Sequence, residues 1–424
     1  MIPFINTIRL FLLYAIVITI VISKLNLNSI CIVLLILTWL IEGNFKSRWR
    51  SLKKDKLFIA YTLFLVIQLA GITMSENFKD GWKDLESKLG FIALPLVFCS
   101  SGFVDRDMRK KVMLVFSISL TIAALFCICA AALRYAASQD TIVFFYHELV
   151  SPLDHHAVYF SVYMFISLVF VMADLADSSW LKKNRFLHVL WILFYLLFIF
   201  FLSSKMVLLV TALYLIYWFI RSETHIKSRF SRNLIAGISI LLIVVAISVT
   251  DNPVKKRFAD LKGDIELLSL NEYNDAMYFN GWQFRLLLWR FTYEIIRDRK
   301  AWITGVGPSN DQAALQKKYL DMGLYGGLAS RGDRGYLDFN CHNQFLQSFL
   351  ESGIPGLLVF IGWCWIFIQK VIRKKQAVLS WMTIIIFAFF FIESVFERQY
   401  GMILTTLFPL MYLYTTKPVN QKSQ

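Results

Sequence analysis

Cys341-His342-Asn343-Gln344-Phe345-Leu346-Gln347-Ser348-Phe349-Leu350-Glu351-Ser352-Gly353-Ile354-Pro355-Gly356-Leu357-Leu358-Val359-Phe360 is the stretch in which a long water-compatible segment re-enters an apolar helix. Its first residues offer a titratable ring at the boundary between water and lipid. A group that must meet a lipid-borne substrate would stand there. A boundary histidine is also, in many membrane proteins, a satisfied polar anchor. Asn343 beside it is placed to orient the ring.

Working outward, the chain is 57% hydrophobic and only 17% charged, with a mean hydropathy of +0.57. Such a composition excludes a soluble domain and identifies a polytopic membrane protein. The net charge of +15 does not point to nucleic acid, because Lys and Arg cluster in short loops between apolar runs. Cys31, Cys99, Cys127, Cys129 and Cys364 lie in apolar runs and Cys341 stands alone, so no disulfide framework is expected. The first apolar stretch lacks a small-residue cleavage site and reads as a retained span.

A crossing needs roughly 20 apolar residues. By that measure spans are expected at Ile5–Ile22, Leu27–Ile41, Leu57–Thr73, Leu89–Phe103, Val112–Ala136, Ala157–Ala173, Phe186–Leu202, Lys205–Ile220, Leu234–Val249, Leu346–Ile368, Leu379–Val395 and Met402–Tyr414. The expected fold is thus all-α, with about twelve transmembrane helices and a long, partly helical loop between the ninth and tenth. Residues 1–249 hold the first nine spans, 250–341 the loop, 342–416 the last three, and 417–424 a tail.

The basic loops Lys46–Lys56, Arg106–Lys111, Lys182–Arg185, Arg221–Arg232 and Lys370–Lys375 all fall on one side of this layout. The bias of Lys and Arg towards cytoplasmic loops then puts both termini in the cytoplasm and the long loop outside. Within that loop the spacing of Trp282, Leu286, Trp289, Tyr293 and Ile296 predicts a helix over Gly281–Lys300, ended by Gly305-Val306-Gly307-Pro308. Trp282, Arg285 and Trp289 share one face of it, while Arg290 is spaced to pair with Glu294. Tyr319–Asn340 is expected to be an irregular lid.

Several residues carry candidate chemistry. Arg285 beside two tryptophans is either a snorkelling anchor or a fork that holds a diphosphate without metal. Lys205, in a Ser203-Ser204-Lys205 turn, is either a phosphate-binding point charge or a basic flank. His156 and Tyr159 read as pocket lining or as core, and the adjacent His155 and His156 do not share a helix face, which argues against a metal. Glu393, Glu397, Arg398 and Gln399 interrupt an apolar run, and Glu393 suits substrate contact and arginine pairing equally. Asp105-Arg106-Asp107 has the form of a metal-dependent nucleotide-sugar site but lies in a basic loop with no nucleotide-binding pattern around it.

His342-Asn343, Leu346, Glu351, Gly353 and Gly356 together resemble the signature of the bacterial O-antigen ligase and polymerase superfamily. Arg285-x-x-x-Trp289 with Gly305-Val306-Gly307, His156-Ala157-x-Tyr159-x-Ser161 (Ala157 where the family has proline), and Glu393-Ser394 with Gln399-x-Gly401 extend the resemblance. Lys205 stands where the family usually has arginine, which loses the bidentate fork.

The resemblance implies a metal-independent, cofactor-free, inverting glycosyltransferase in the bacterial inner membrane, with its site facing the periplasm. The donor would be a glycan on undecaprenyl diphosphate, the acceptor a lipid A core or a related glycan. His342 and Arg285 would be catalytic. Lys205, Asn343, His156, Tyr159, Glu393, Gln399 and the loop arginines Arg331 and Arg334 would bind substrate. The motifs do not separate a ligase from a polymerase. A lipid-linked glycan flippase or transporter is a second alternative, for which broken helices or paired charges at the bilayer midplane are expected.

Overall fold

The computed structural model describes residues 2–73, 78–174, 183–221, 266–274, 277, 279–328 and 333–416. The expected ninth span, Leu234–Val249, lies outside them, as do Arg331 and the tail. The described chain is all-α and carries no strand. Its first part comprises α1 (Ile2–Val21), α2 (Leu25–Glu42), α3 (Phe45–Lys54), α4 (Lys56–Ile72), α5 (Phe78–Lys88), α6 (Gly90–Ser101), α7 (Arg106–Ser138), α8 (Tyr146–Val150), α9 (Ala157–Ala173), α10 (Arg185–Leu202) and α11 (Lys205–Arg221). The loop contributes α12 (Gly281–Asp298) and α13 (Asn310–Asp321), and α14 (Gln344–Lys374), α15 (Ala377–Phe390) and α16 (Gln399–Leu413) follow.

Four helices, Pro3–Val21, Arg106–Ser138, Arg185–Leu202 and Gln344–Lys374, are long and apolar enough to cross a membrane, and six spans result if two bent helix pairs each count as one. One bent pair is α2 with α3, turned by 118° where Gly43 and Asn44 adopt positive φ. The expected count of twelve does not follow from helix length alone, because several apolar segments form shorter helices, such as α4, α6 and α15. At the centre stands α9, buried on every face from Ala157 to Met172, as a helix that is apolar all round should be. Around it pack α7, α10, α11 and α15, while α14 runs along α4 and α16 along α6.

Polar ties collect the loops at two ends. Asp55 binds Lys370 (2.7 Å) and the Tyr414 hydroxyl (2.6 Å), and Arg109 binds Asp174 (3.1 Å). Glu42 joins Arg9 and Arg48. The basic loops after α2, after α6 and after α14 therefore share one end with the close of α16. At the other end Ser23 meets Tyr400 (2.6 Å) and Ser29 meets Gln399 (2.8 Å), so Gln399 ties helices rather than standing apart. Asp105 uses its carboxylate to cap α7 through the Met108 amide (2.7 Å), a structural role that explains its Asp-x-Asp form without metal.

The long loop has a core of its own, built from Phe284, Leu287, Leu288 and Phe291 of α12, Leu315 and Tyr319 of α13, and Phe349 and Leu350 of α14. The helix expected over Gly281–Lys300 is present, started by a capping box in which Asn280 accepts from the Gln283 amide (2.9 Å) and Gln283 accepts from the Asn280 amide (3.1 Å). Helix α13 is additional to the expected pattern, and the irregular segment begins only after it.

The expected span at Leu346–Ile368 is not one straight helix. It breaks at Ser352 and Gly353, and the turns before the break pack against α12 and α13 through Phe349 and Leu350 while Phe345 and Glu351 face the bundle. From Ile354 to Lys374 the helix still runs for about 30 Å at 1.5 Å per residue, enough for a crossing.

The break is held by the glycine motif. The amides of Val306 and Gly307 donate to Leu350 O (2.8 Å) and Glu351 O (3.1 Å), and the Ile354 amide donates to Trp302 O (2.8 Å). Gly305 (φ +67°) and Gly353 (φ +62°) sit at this crossing, where an added Cβ would lie 2.4 Å from the Glu351 carbonyl carbon or the Ile303 oxygen respectively. The left-handed backbone alone costs a non-glycine residue about 1–2 kcal/mol, before the clash. Gly353→Ala is expected to lower the thermal midpoint of the purified protein and expose the loop to limited proteolysis, whereas Gly362→Ala, with open space around it, leaves both unchanged.

Candidate functional site

The backbone of His342 is left-handed (φ +45°), an unfavourable setting for a non-glycine residue that only its surroundings maintain. Its amide donates to Asn340 Oδ1 (3.0 Å) on one side. On the other, Asn343 caps α14 by accepting from the amides of Phe345 (2.9 Å) and Leu346 (3.2 Å). Asn343 thus sets where the helix starts, and the partner that orients the ring is Glu393, whose Oε2 lies 3.1 Å from His342 Nδ1. An ionised carboxylate only accepts, so Nδ1 carries a proton, and in the neutral ring the lone pair falls on Nε2.

Helix α15 ends at Phe390, and Glu393 falls beyond it, 3% exposed. Burial pushes its carboxyl up, but the charge and hydrogen bond of His342 and the nearby Arg285 guanidinium outweigh it and hold the group at about 2. His156 also adds to this, but only in acid, because burial drops its own value to about 3 and leaves it neutral above that. Glu393 is therefore a carboxylate throughout the physiological range.

Arg285 completes the cluster. Its Nη2 reaches Glu393 Oε1 (3.5 Å), its Nε donates to Ile392 O (3.1 Å) and its Nη1 to Gly281 O (2.8 Å). Three of its five N–H groups are thereby occupied by protein, one by the carboxylate, one by the backbone beside it and one by the first turn of its own helix. Trp282 and Trp289 meet edge to face at 6.2 Å on the same helix, as their shared spacing predicts. Arg290 takes the structural role expected of it, bonded to Glu294 (2.7 Å) and to Leu268 O and Leu270 O.

His156 and Tyr159 lie close enough to Glu393 and Arg398 to share their fields. His156 Nδ1 and the fully buried Tyr159 hydroxyl have no hydrogen-bond partner among the described residues. The neighbouring His155 points elsewhere, with Nε2 3.3 Å from Ile20 O, so the two adjacent rings do different work. Lys205 is the first residue of α11, and Arg334 is exposed and paired with Asp338 (2.9 Å).

About two turns further along α14 lies a second polar group, whose assembly the sequence did not reveal. Lys88, 1% exposed at the end of α5, bridges Glu351 (3.1 Å) and Glu397 (2.9 Å). Glu351 also accepts from Gln68 (2.7 Å) and Gln347 (2.8 Å), and Gln347 reaches Asp311 (2.6 Å). Asp311, Glu351 and Glu397 bring oxygens within 4.8 Å of one another, a grouping able to hold a metal ion, and here the Lys88 ammonium provides positive charge among them. Gln344, Gln347 and Glu351 are spaced three and four apart, so a polar stripe was readable in the sequence. Its partners Gln68 and Lys88, more than 250 residues away, were not.

An open cavity of about 400 Å³, lined by Ser309, Asp311, Gln312, Asn340, Glu397 and Arg398, borders the second group and reaches the first through Asn340, which accepts from the His342 amide.

No curated protein matches the chain. Residues 188–361 match the family described as O-antigen ligase, a stretch that takes in Arg285, the Gly305–Gly307 clamp, His342 and Glu351 and stops short of Glu393. Over that stretch the chain is similar to the O-antigen ligase family, which supports the superfamily that its motifs resemble, and its long apolar helices support a multi-pass membrane protein.

Proposed function

We propose that the protein is an O-antigen ligase-type glycosyltransferase of the bacterial inner membrane, moving a glycan from undecaprenyl diphosphate to a hydroxyl of a lipid A core or related acceptor on the periplasmic face. The observation that carries this reading is the His342–Glu393–Arg285 cluster at the place where the loop domain meets the bundle.

In this mechanism the acceptor oxygen attacks the anomeric carbon as the bond to the diphosphate oxygen breaks, with inversion. His342 Nε2 takes the acceptor proton, and Glu393 stabilises the imidazolium that forms, which is the general logic of a base oriented by a third group. Arg285 holds Glu393 in place. Its two remaining N–H groups, with Lys205, Arg331 and Arg334, face the task of neutralising the leaving diphosphate. His156, Tyr159, Asn343 and Gln399 line or frame the substrate path. The orientation rests on the basic loops gathered at one end of the bundle, opposite the end where Tyr400 and Gln399 meet α1 and α2.

The test is complementation of a ligase-deficient and a polymerase-deficient strain, each scored by the ladder of surface glycan. Capped lipopolysaccharide restored only in the first is the expected result. Longer chains restored only in the second would make the protein a polymerase, and restoration of neither, with the protein present in the membrane, would count against glycosyl transfer.

A further inference from the structure

The cavity beside His342 has a chemistry of its own. Its lining is polar at every side chain, pairing the amides of Gln312 and Asn340 with the Ser309 hydroxyl, two carboxylates and one guanidinium. Asn340 ties the rim directly to the amide of His342 (3.0 Å), and Arg398 and Glu393 act on the same His156 ring. Ser309 precedes α13 in the position where a serine ordinarily caps a helix, yet it makes no capping bond. Its hydroxyl is buried with no hydrogen-bond partner among the described residues, on a left-handed backbone (φ +69°). A buried hydroxyl without a partner is costly unless something else satisfies it.

From these features we infer that the cavity is the subsite for the acceptor sugar, and that it selects an uncharged, polyhydroxylated residue over a phosphorylated one. The inference rests on the transfer reaction proposed above. Carboxylates and amides at close spacing accept from and donate to adjacent sugar hydroxyls, and Ser309 gains the partner it lacks. A phosphate in the same place would face Asp311 and Glu397 against Arg398, the one cation among the described lining residues, with Lys88 already engaged by Glu351 and Glu397. Asn340, on the cavity rim, joins it to the backbone of His342, the residue whose ring would remove the acceptor proton.

Two measurements on the full chain in nanodiscs test this. The first is native mass spectrometry with a neutral tetrasaccharide and its monophosphorylated counterpart, without donor. Wild type should retain the neutral sugar and bind the phosphorylated one at least tenfold less. Gln312→Trp, which fills the cavity and gives up the Gln312 bonds to Leu337 O (2.7 Å) and Phe339 O (3.2 Å), should lose both while still showing a cooperative melting transition. The second is transfer kinetics, where Ser309→Ala should raise the acceptor KM about 3–10-fold, the effect of one lost hydrogen bond, with the donor KM unmoved. Retention of the neutral sugar by folded Gln312→Trp, equal binding of the phosphorylated sugar, or a rise in donor KM instead would overturn the assignment. If wild type transfers nothing, the proposed function falls, and the binding measurement still decides the cavity.

Discussion

Replacing His342 with alanine is expected to cut glycan transfer by about 10²–10⁴-fold, the range for loss of a general base, while expression and thermal stability stay near wild type. The ring is 14% exposed and contributes one side-chain hydrogen bond, so little packing is lost. Glu393→Gln should fall nearly as far, because an amide neither stabilises the imidazolium nor enforces the Nδ1–H tautomer. Since both act through one proton transfer, the double variant should be little worse than the poorer single. Additive losses in purified enzyme would separate the two residues and defeat the dyad.

The pH dependence follows from the sign of the Glu393 shift. A carboxyl held at about 2 in the folded protein against an ordinary 4.5 contributes stability that is fully present above pH 4.5 and lost as pH falls towards 2. The Glu393→Gln protein should therefore lose less stability than wild type over that interval. Equal acid sensitivity of the two proteins would mean that Glu393 is not held as described.

The second large effect is structural. Lys88→Met should destabilise the protein by about 3–5 kcal/mol, the cost of leaving buried charge without its partner, because Glu351 is 1% exposed and Glu397 lies beside it. Adding Glu351→Gln should restore most of the loss, since Gln68 and Gln347 can still satisfy a neutral amide at that position. Thermal unfolding of the three proteins in detergent, followed by tryptophan fluorescence, is the measurement. A Lys88→Met protein that melts with wild type, or a double variant worse than the single, would show that the ammonium does not carry this charge balance. The network joins α5, the loop domain and α14, so its loss should also impair transfer.

Local patterns were legible wherever a short-range rule decides the outcome. Apolar runs and basic loops identified a helical membrane protein, because insertion depends on hydropathy and on positive charge near span ends. The 281–298 helix was readable from its three- and four-residue spacing, the Arg290–Glu294 pair from its i,i+4 offset, and the place of His342 from the resumption of apolar sequence after it. The number of crossings was not readable in the same way, since a 12-residue apolar helix such as α6 and a full span share one composition.

What only the tertiary structure decided is who faces whom. The sequence offered Asn343 as the residue that orients His342 and left Glu393 open between substrate and arginine. The fold gives Asn343 to the helix cap and Glu393 to both His342 and Arg285, across separations of 51 and 108 residues. Likewise the Gly-Val-Gly and Glu-x-Gly motifs, read separately as family marks, turn out to be two halves of one clamp at the break in α14. Hydropathy and periodicity report the environment of a residue along its own helix, whereas a hydrogen bond between helices depends on their packing, which no local pattern encodes.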